Sequence, residues 1–177
     1  MRVLSIDPAL RNAGYAVVEK NESPDGRKLP QREQYRALDY GVISSPAKLT
    51  QSQCLVEIRR SIAGVIQQHQ PDVCAVESVI YVQSYKTAII MGAARGAALL
   101  AAAESGLKIY EYPPKRVKQA VVGRGGASKD QVAFMMRALL GLTETPPSDA
   151  ADALAIGLAH FYTEAMGAMI GEPRKEI

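Results

Sequence analysis

The feature that most constrains this chain is a change of hydrophobic period near residue 45. Before it, apolar runs rich in β-branched residues at 2–7 (RVLSID), 13–20 (AGYAVVEK) and 35–44 (YRALDYGVIS) read as strands. Three successive strands with hairpin-like links give an antiparallel meander. After the change, Leu49, Leu55, Ile58, Ile62, Val65 and Ile66 fall at helical spacing, so 47–69 is a helix. Strands are expected at 71–80 and 107–112, and helices at 84–104, 113–123, 128–142 and 148–166. Proline opens the segment at 113, Ser128 suits an N-cap, and Gly141 suits a helix stop. A β-β-β-α-β-α-β-α-α-α order implies an α/β fold, with a five-stranded mixed sheet and helices on both faces.

No repeat, low-complexity segment or linker interrupts the 177 residues, so 1–177 is expected to be a single domain. Residues 21–34 are polar and carry Pro and Gly, which predicts an extended hairpin or loop; 167–177 reads as a flexible tail. Hydrophobic residues make up 47% and charged residues 22%, as in a soluble globular protein. With no Trp and only two Phe, the core must come from Ala, Val, Leu and Ile. The net charge of +3 permits an anionic partner without requiring one. Cys54 and Cys74 form no spaced pair and read as buried thiols in a reducing compartment. The chain opens directly on a strand, and its most membrane-like stretch, 87–103, is largely Ala and Gly and is broken by Arg95. A cytoplasmic protein with no membrane partner is expected.

Two carboxylates sit where a strand should be apolar: Asp7 ends VLSI, and Glu77 lies within VCAVESVI. Without a basic neighbour, such a group costs several kcal/mol by rough transfer values. Either one alone reads equally well as a strand end pointing to solvent. Asp149 and Asp152, three residues apart at a helix start, read by themselves as a capping pair suited to the helix dipole. Together the four carry a different meaning. If strand four lies beside strand one, Asp7 and Glu77 are neighbours, and a helix on that sheet can bring Asp149 and Asp152 to them. Four clustered acids repel one another, and hard divalent ions relieve the repulsion. A pair of ions about 4 Å apart is a device for phosphodiester hydrolysis.

The stretches SIDPALRNAGYAVVE, AVESVIY, AARGAAL, PPKRVKQAVVGRGGASKDQV and DAADALAIGLAH resemble the RuvC family of Holliday junction resolvases, in order and through nearly the whole chain. The resemblance implies an RNase H-like fold and a homodimer formed through helix 84–104. It implies paired symmetric nicks in four-way DNA junctions, leaving 5′-phosphate and 3′-hydroxyl ends. It also implies that Asp7, Glu77, Asp149 and Asp152 hold two Mg²⁺ per active site, with Mn²⁺ able to substitute, and it suggests the branch-migration proteins RuvA and RuvB as partners. The chain departs from the family pattern at Ala9, where a glycine is usual. It departs again at Ile80, where an aromatic that stacks on junction bases is usual and Tyr81 follows. Its 21–34 stretch is longer than usual.

Between Tyr112 and Lys129 only Lys115, Arg116, Lys118, Arg124 and Lys129 are charged, and all are basic. The stretch reads as a solvated basic face or, beside a metal site, as a phosphate track. The resemblance assigns Lys118 and Lys129 to the family's functional lysines, and Ile80, Tyr81 and Lys86 join the candidate DNA contacts. The glycines of GRGGAS lack the lysine spacing of a phosphate-binding Walker loop and suit close backbone approach or a turn. His69 is expected at the surface. His160, two turns beyond Asp152, is a minor candidate ligand. Three other readings are an RNase H-like nuclease for another branched or hybrid nucleic acid, a non-catalytic junction-binding protein and a sugar-kinase-like ATPase. The last lacks a second glycine-rich phosphate loop, and the chain is too short for its two lobes.

Overall fold

The computed structural model describes residues 1–23, 27, 29–79, 84–170 and 176–177. Strands β1 (Arg2–Asp7), β2 (Asn12–Lys20) and β3 (Tyr35–Ser44) form the expected antiparallel meander, with a one-turn helix α1 (Gln31–Gln34) before β3. They continue into α2 (Gln51–His69), β4 (Val73–Glu77), α3 (Tyr85–Glu104) and β5 (Lys108–Tyr112). Helices α4 (Pro114–Val122), α5 (Lys129–Leu140) and α6 (Ser148–Ile170) follow. The sheet order is β3-β2-β1-β4-β5, and β4 runs parallel to both β1 and β5. This is the five-stranded mixed sheet that the change of period implies.

Period-two alternation sorts the strands between two cores. Leu4, Ile6, Val17, Cys74, Val76 and Ile109 pack with α2 and α3. Val3, Ala16, Val18, Ala75, Tyr110 and Tyr112 pack with α4, α5 and α6. The same parity places Asp7 and Glu77 on the α6 side, at the ends of β1 and β4. Ile6 is registered with Val76, and one residue further along each strand is a carboxylate.

Several boundaries differ from the expected ones for clear local reasons. Helix α2 starts at Gln51 rather than 47, because Thr50 and Gln53 form a capping box. Strand β4 ends at Glu77 rather than 80. Its partner β5 ends at Tyr112, and the next residue, Pro113, has no N–H to continue the ladder. Within the expected 21–34 loop, Gln31–Gln34 form α1 and the Asn21 N–H bonds to the Gln34 carbonyl; residues 24–26 and 28 lie outside the described residues. The expected tail at 167–177 is helical through Ile170, and Glu176 bridges Tyr110 on β5. This bridge partly covers an otherwise open sheet edge; 171–175 lie outside the described residues.

Ser128 and Gly141 take the expected cap and stop roles, the latter with φ of 63°. In the GRGGAS turn, a Cβ on Gly125 would lie 3.1 Å from the Lys115 carbonyl oxygen, a tight contact that marks close backbone approach at that glycine. Both cysteines are buried, and burial pushes the Cys74 thiol up to about 12, leaving it an inert packing group. His69 is not a surface residue: its Nε2 sits 3.1 Å from Asp39 Oδ2, and its side chain is only 14% exposed. By length and composition α3 is apolar enough to cross a membrane. Its Ala94, Ala98, Ala101 and Ala102 are nevertheless buried in the core shared with α2, and its Arg95 pairs with Glu111 of β5 at 2.8 Å.

Candidate active site

Three elements converge at one end of the sheet. Asp7 ends β1, Glu77 ends β4, and Asp149 and Asp152 occupy the first turns of α6. Oxygens of Asp7, Asp149 and Asp152 all lie within 4.8 Å of one another. Glu77 sits close enough that the charges of Asp7 and Asp152 both raise it.

What lets α6 approach so closely is a residue the sequence reasoning passed over. Gly14 on β2 is registered with Asp7. A Cβ there would overlap the Asp149 carbonyl oxygen and lie 2.6 Å from its carbonyl carbon. Further along the helix, a Cβ on Gly157 would sit 3.0 Å from Ser5 Oγ and from a Val18 methyl. The available signal was a glycine inside a strand run, which marks close backbone approach.

The electrostatics follow from this packing. Burial lifts the Asp7 carboxyl to about 6; Asp152 and then Asp149 add to the rise, and Lys129 opposes it. Burial lifts Glu77 to about 7, reinforced by Asp7 and Asp152 and opposed by Lys118 and Lys129. Burial also raises Asp152, against the pull of Lys129 and Lys118. Such a cluster is short of positive charge. Its donors are all carboxylate oxygens, the set that hard divalent cations prefer, so these residues fit a Mg²⁺-type ion.

The capping alternative for Asp149 and Asp152 loses support. Among the described residues neither carboxylate accepts a backbone N–H, and both face Lys129 instead. The Lys129 Nζ is 3.5 Å from Asp149 Oδ1 and 3.4 Å from Asp152 Oδ2. Lys129 is the first residue of α5, held there by the reciprocal bonds of Ser128 and Gln131. Burial lowers its affinity for a proton, but the two aspartates outweigh that effect and raise it. The sequence shows no base beside these acids; the fold supplies one from 20 residues away.

The remaining candidates divide. Lys118 on α4 is near enough to pull down both Glu77 and Asp152. Lys115, with Glu77, Pro8, Ser78, Val79, Met91 and Pro114, lines a cleft of about 430 Å³ that reaches the acidic group at Glu77. Lys86, Arg116 and Arg124 are exposed. Ile80 and Tyr81 lie outside the described residues. His160 is fully buried with its Nδ1 2.8 Å from the Tyr112 hydroxyl and packs among aromatic rings, so it is a core residue and not part of the acidic group.

The chain is similar along most of its length to one family of known proteins. The pattern of the family described as crossover junction endodeoxyribonuclease RuvC matches residues 3–160. A crossover junction endodeoxyribonuclease RuvC from Akkermansia muciniphila is 58% identical over 163 residues, covering 92% of each chain. One from Chloroflexus aggregans is 44% identical over 164 residues, covering 92% of this chain and 94% of the relative. Among solved structures, Thermus thermophilus RuvC in complex with a Holliday junction substrate superposes with a TM-score of 0.85 at 34% identity. That match covers 100% of this chain and 99% of the other.

Proposed function

Because the chain belongs to the RuvC family of crossover junction endodeoxyribonucleases, we propose that it resolves four-way DNA junctions by paired, symmetric nicks. The observation that carries this reading is the convergence of Asp7, Asp149 and Asp152 within 4.8 Å, with Glu77 beside them. The relative solved with a Holliday junction substrate supports the choice of substrate.

In this reading the four acids hold two Mg²⁺, with Mn²⁺ able to replace them. When bound, the ions supply Lewis acidity for in-line hydrolysis, giving 5′-phosphate and 3′-hydroxyl ends. The protein's own residues do the rest. The sheet end and the first turns of α6 hold the carboxylates in a fixed array, so little reorganisation accompanies the reaction. Lys118 and Lys129 meet the charge of the scissile phosphate. Lys115, Arg116, Arg124 and Lys86 hold the flanking backbone by charge. The cleft lined by Pro8, Val79, Met91 and Pro114 leaves room for a DNA strand beside Glu77, and Ile80 and Tyr81 follow Val79 in the chain as candidate contacts to bases.

A two-fold dimer would place two such sites on opposing strands, matching the symmetry of the junction. Helix α3 suits that interface. Ile89 and Leu100 are exposed, and a Cβ on Gly92 or Gly96 would meet nothing, so a second helix can approach closely. RuvA and RuvB remain the partners that the family suggests.

The test is to incubate the protein with mobile and fixed four-way junctions, flaps, forks and RNA–DNA hybrids, and to map the nicks. Mg²⁺-dependent paired nicks confined to junctions are expected. Cleavage of the other substrates at equal rates would redirect the assignment within the nuclease fold, and binding without nicking would support a non-catalytic role.

A further inference from the structure

We infer that Lys129 is the site's own provisional cation. In the metal-free protein its ammonium holds Asp149 and Asp152 together, and a divalent ion must displace it before the acids are free to ligate. This rests on the metal-dependent reading above and adds an order of events to it.

Four observations carry the inference. The ammonium lies 3.4 Å from Asp152 Oδ2 and 3.5 Å from Asp149 Oδ1, so it addresses both α6 carboxylates at once. Those carboxylates, with Asp7, offer ligand oxygens within 4.8 Å of one another, so the ammonium addresses two of the three carboxylates that lie close enough to share a metal. Among the described residues Lys129 alone forms ion pairs with the acids; Lys118 acts at longer range. The backbone of Lys129 is fixed by the α5 capping box, yet its side chain is 61% exposed. A fixed root and an exposed, flexible stem allow the head group to move while the helix stays in place.

An ammonium and a hard cation compete for the negative charge of the same two carboxylates. Metal binding therefore releases the lysine head group at the mouth of the site, where a phosphate would arrive. Metal and DNA backbone then assist each other, because each removes a competitor of the other.

The test uses metal-free wild type, Lys129→Met and Lys129→Arg without DNA, each titrated with Mn²⁺ while free ion is counted by electron paramagnetic resonance. Lys129→Met is expected to bind Mn²⁺ about two- to tenfold more tightly than wild type, and Lys129→Arg about as tightly as wild type. Metal-free Lys129→Met should also melt below wild type, with the gap narrowing in saturating Mg²⁺. Mn²⁺ affinity in Lys129→Met equal to or weaker than wild type would overturn the inference. Absence of saturable Mn²⁺ binding to wild type would instead remove the metal reading itself. Should Lys129→Met fail to fold, the wild-type Lys129 Nζ resonance decides: it must shift as Mg²⁺ is added, and an unmoved resonance overturns the inference.

Discussion

The two ends of β1 treat charge in opposite ways. At its start, Arg2 Nε sits 2.9 Å from Glu19 Oε1, and Arg36 reaches the other oxygen of Glu19 at 3.1 Å. The Asp72 carboxylate accepts the Arg2 backbone N–H at 2.6 Å. There the Arg2 hydrogen bond leads in holding Glu19 below the usual carboxylate range. At the other end, five residues on, Asp7 faces three more carboxylates and one exposed lysine, and it is raised to about 6. One strand thus carries a satisfied ion-pair network and an array of acids short of cations. Residue type does not distinguish them; what surrounds each carboxylate does. A network that satisfies itself serves the fold, whereas one left short of positive charge is positioned to take a ligand.

Substitution at the two ends should separate these roles most sharply. Asp7→Asn is expected to retain junction binding and lose nicking by on the order of 10³-fold, measured as single-turnover rates in Mg²⁺. Glu19→Gln should nick within about twofold of wild type, because it removes only the two partly exposed ion pairs to Arg2 and Arg36, far from the acids. Equal losses at both ends would break the comparison.

The next effect concerns packing. Gly14→Ala drives a methyl into the Asp149 backbone and should cost about 2–4 kcal/mol in chemical denaturation, with weaker Mn²⁺ binding. Gly64→Ala, on α2 where a Cβ meets nothing, should be neutral or stabilise by up to about 1 kcal/mol.

The pH dependence should differ in sign between the ends. Asp7 and Glu77 titrate higher in the folded chain than their ordinary values of 3.8 and 4.5, at about 6 and about 7. Their protonated forms therefore favour folding. That stability is full below about pH 4 and is lost as pH rises through 7, by about 1–3 kcal/mol in the metal-free protein. Mg²⁺ should flatten the decline, since the ion favours the ionised form. Glu19, held low, contributes stability above its ordinary value that is lost as pH falls. The smallest effect follows: Glu19→Gln should lower stability at pH 7 by no more than about 1 kcal/mol and reduce its loss in acid. Thermal melts across pH, with and without Mg²⁺, check both.

Much of this was legible in the string, and the reasons are local. Alternation in β1 and β4, helical spacing in α2, and the caps at Ser128 and Gly141 are each set by neighbours within a few residues. The four acids were also legible, as charges interrupting apolar strands and as a pair at a helix start. Gly14 was visible as a strand glycine, but nothing in the string says that its missing side chain makes room for the backbone at Asp149. His69 and His160 were harder to place, because their partners Asp39 and Tyr112 lie 30 and 48 residues away.

By itself, the order of apolar and polar residues determined the elements, the parity that puts Asp7 and Glu77 on one face, and the chemical types available at the sheet end. Only the tertiary structure decided that β4 lies beside β1, that α6 comes within reach of Gly14, and that Lys129 falls between Asp149 and Asp152. The physical reason is range. Propensity, capping and alternation act over a few residues, whereas burial and Coulomb interaction act between groups that the chain brings together only once it has folded.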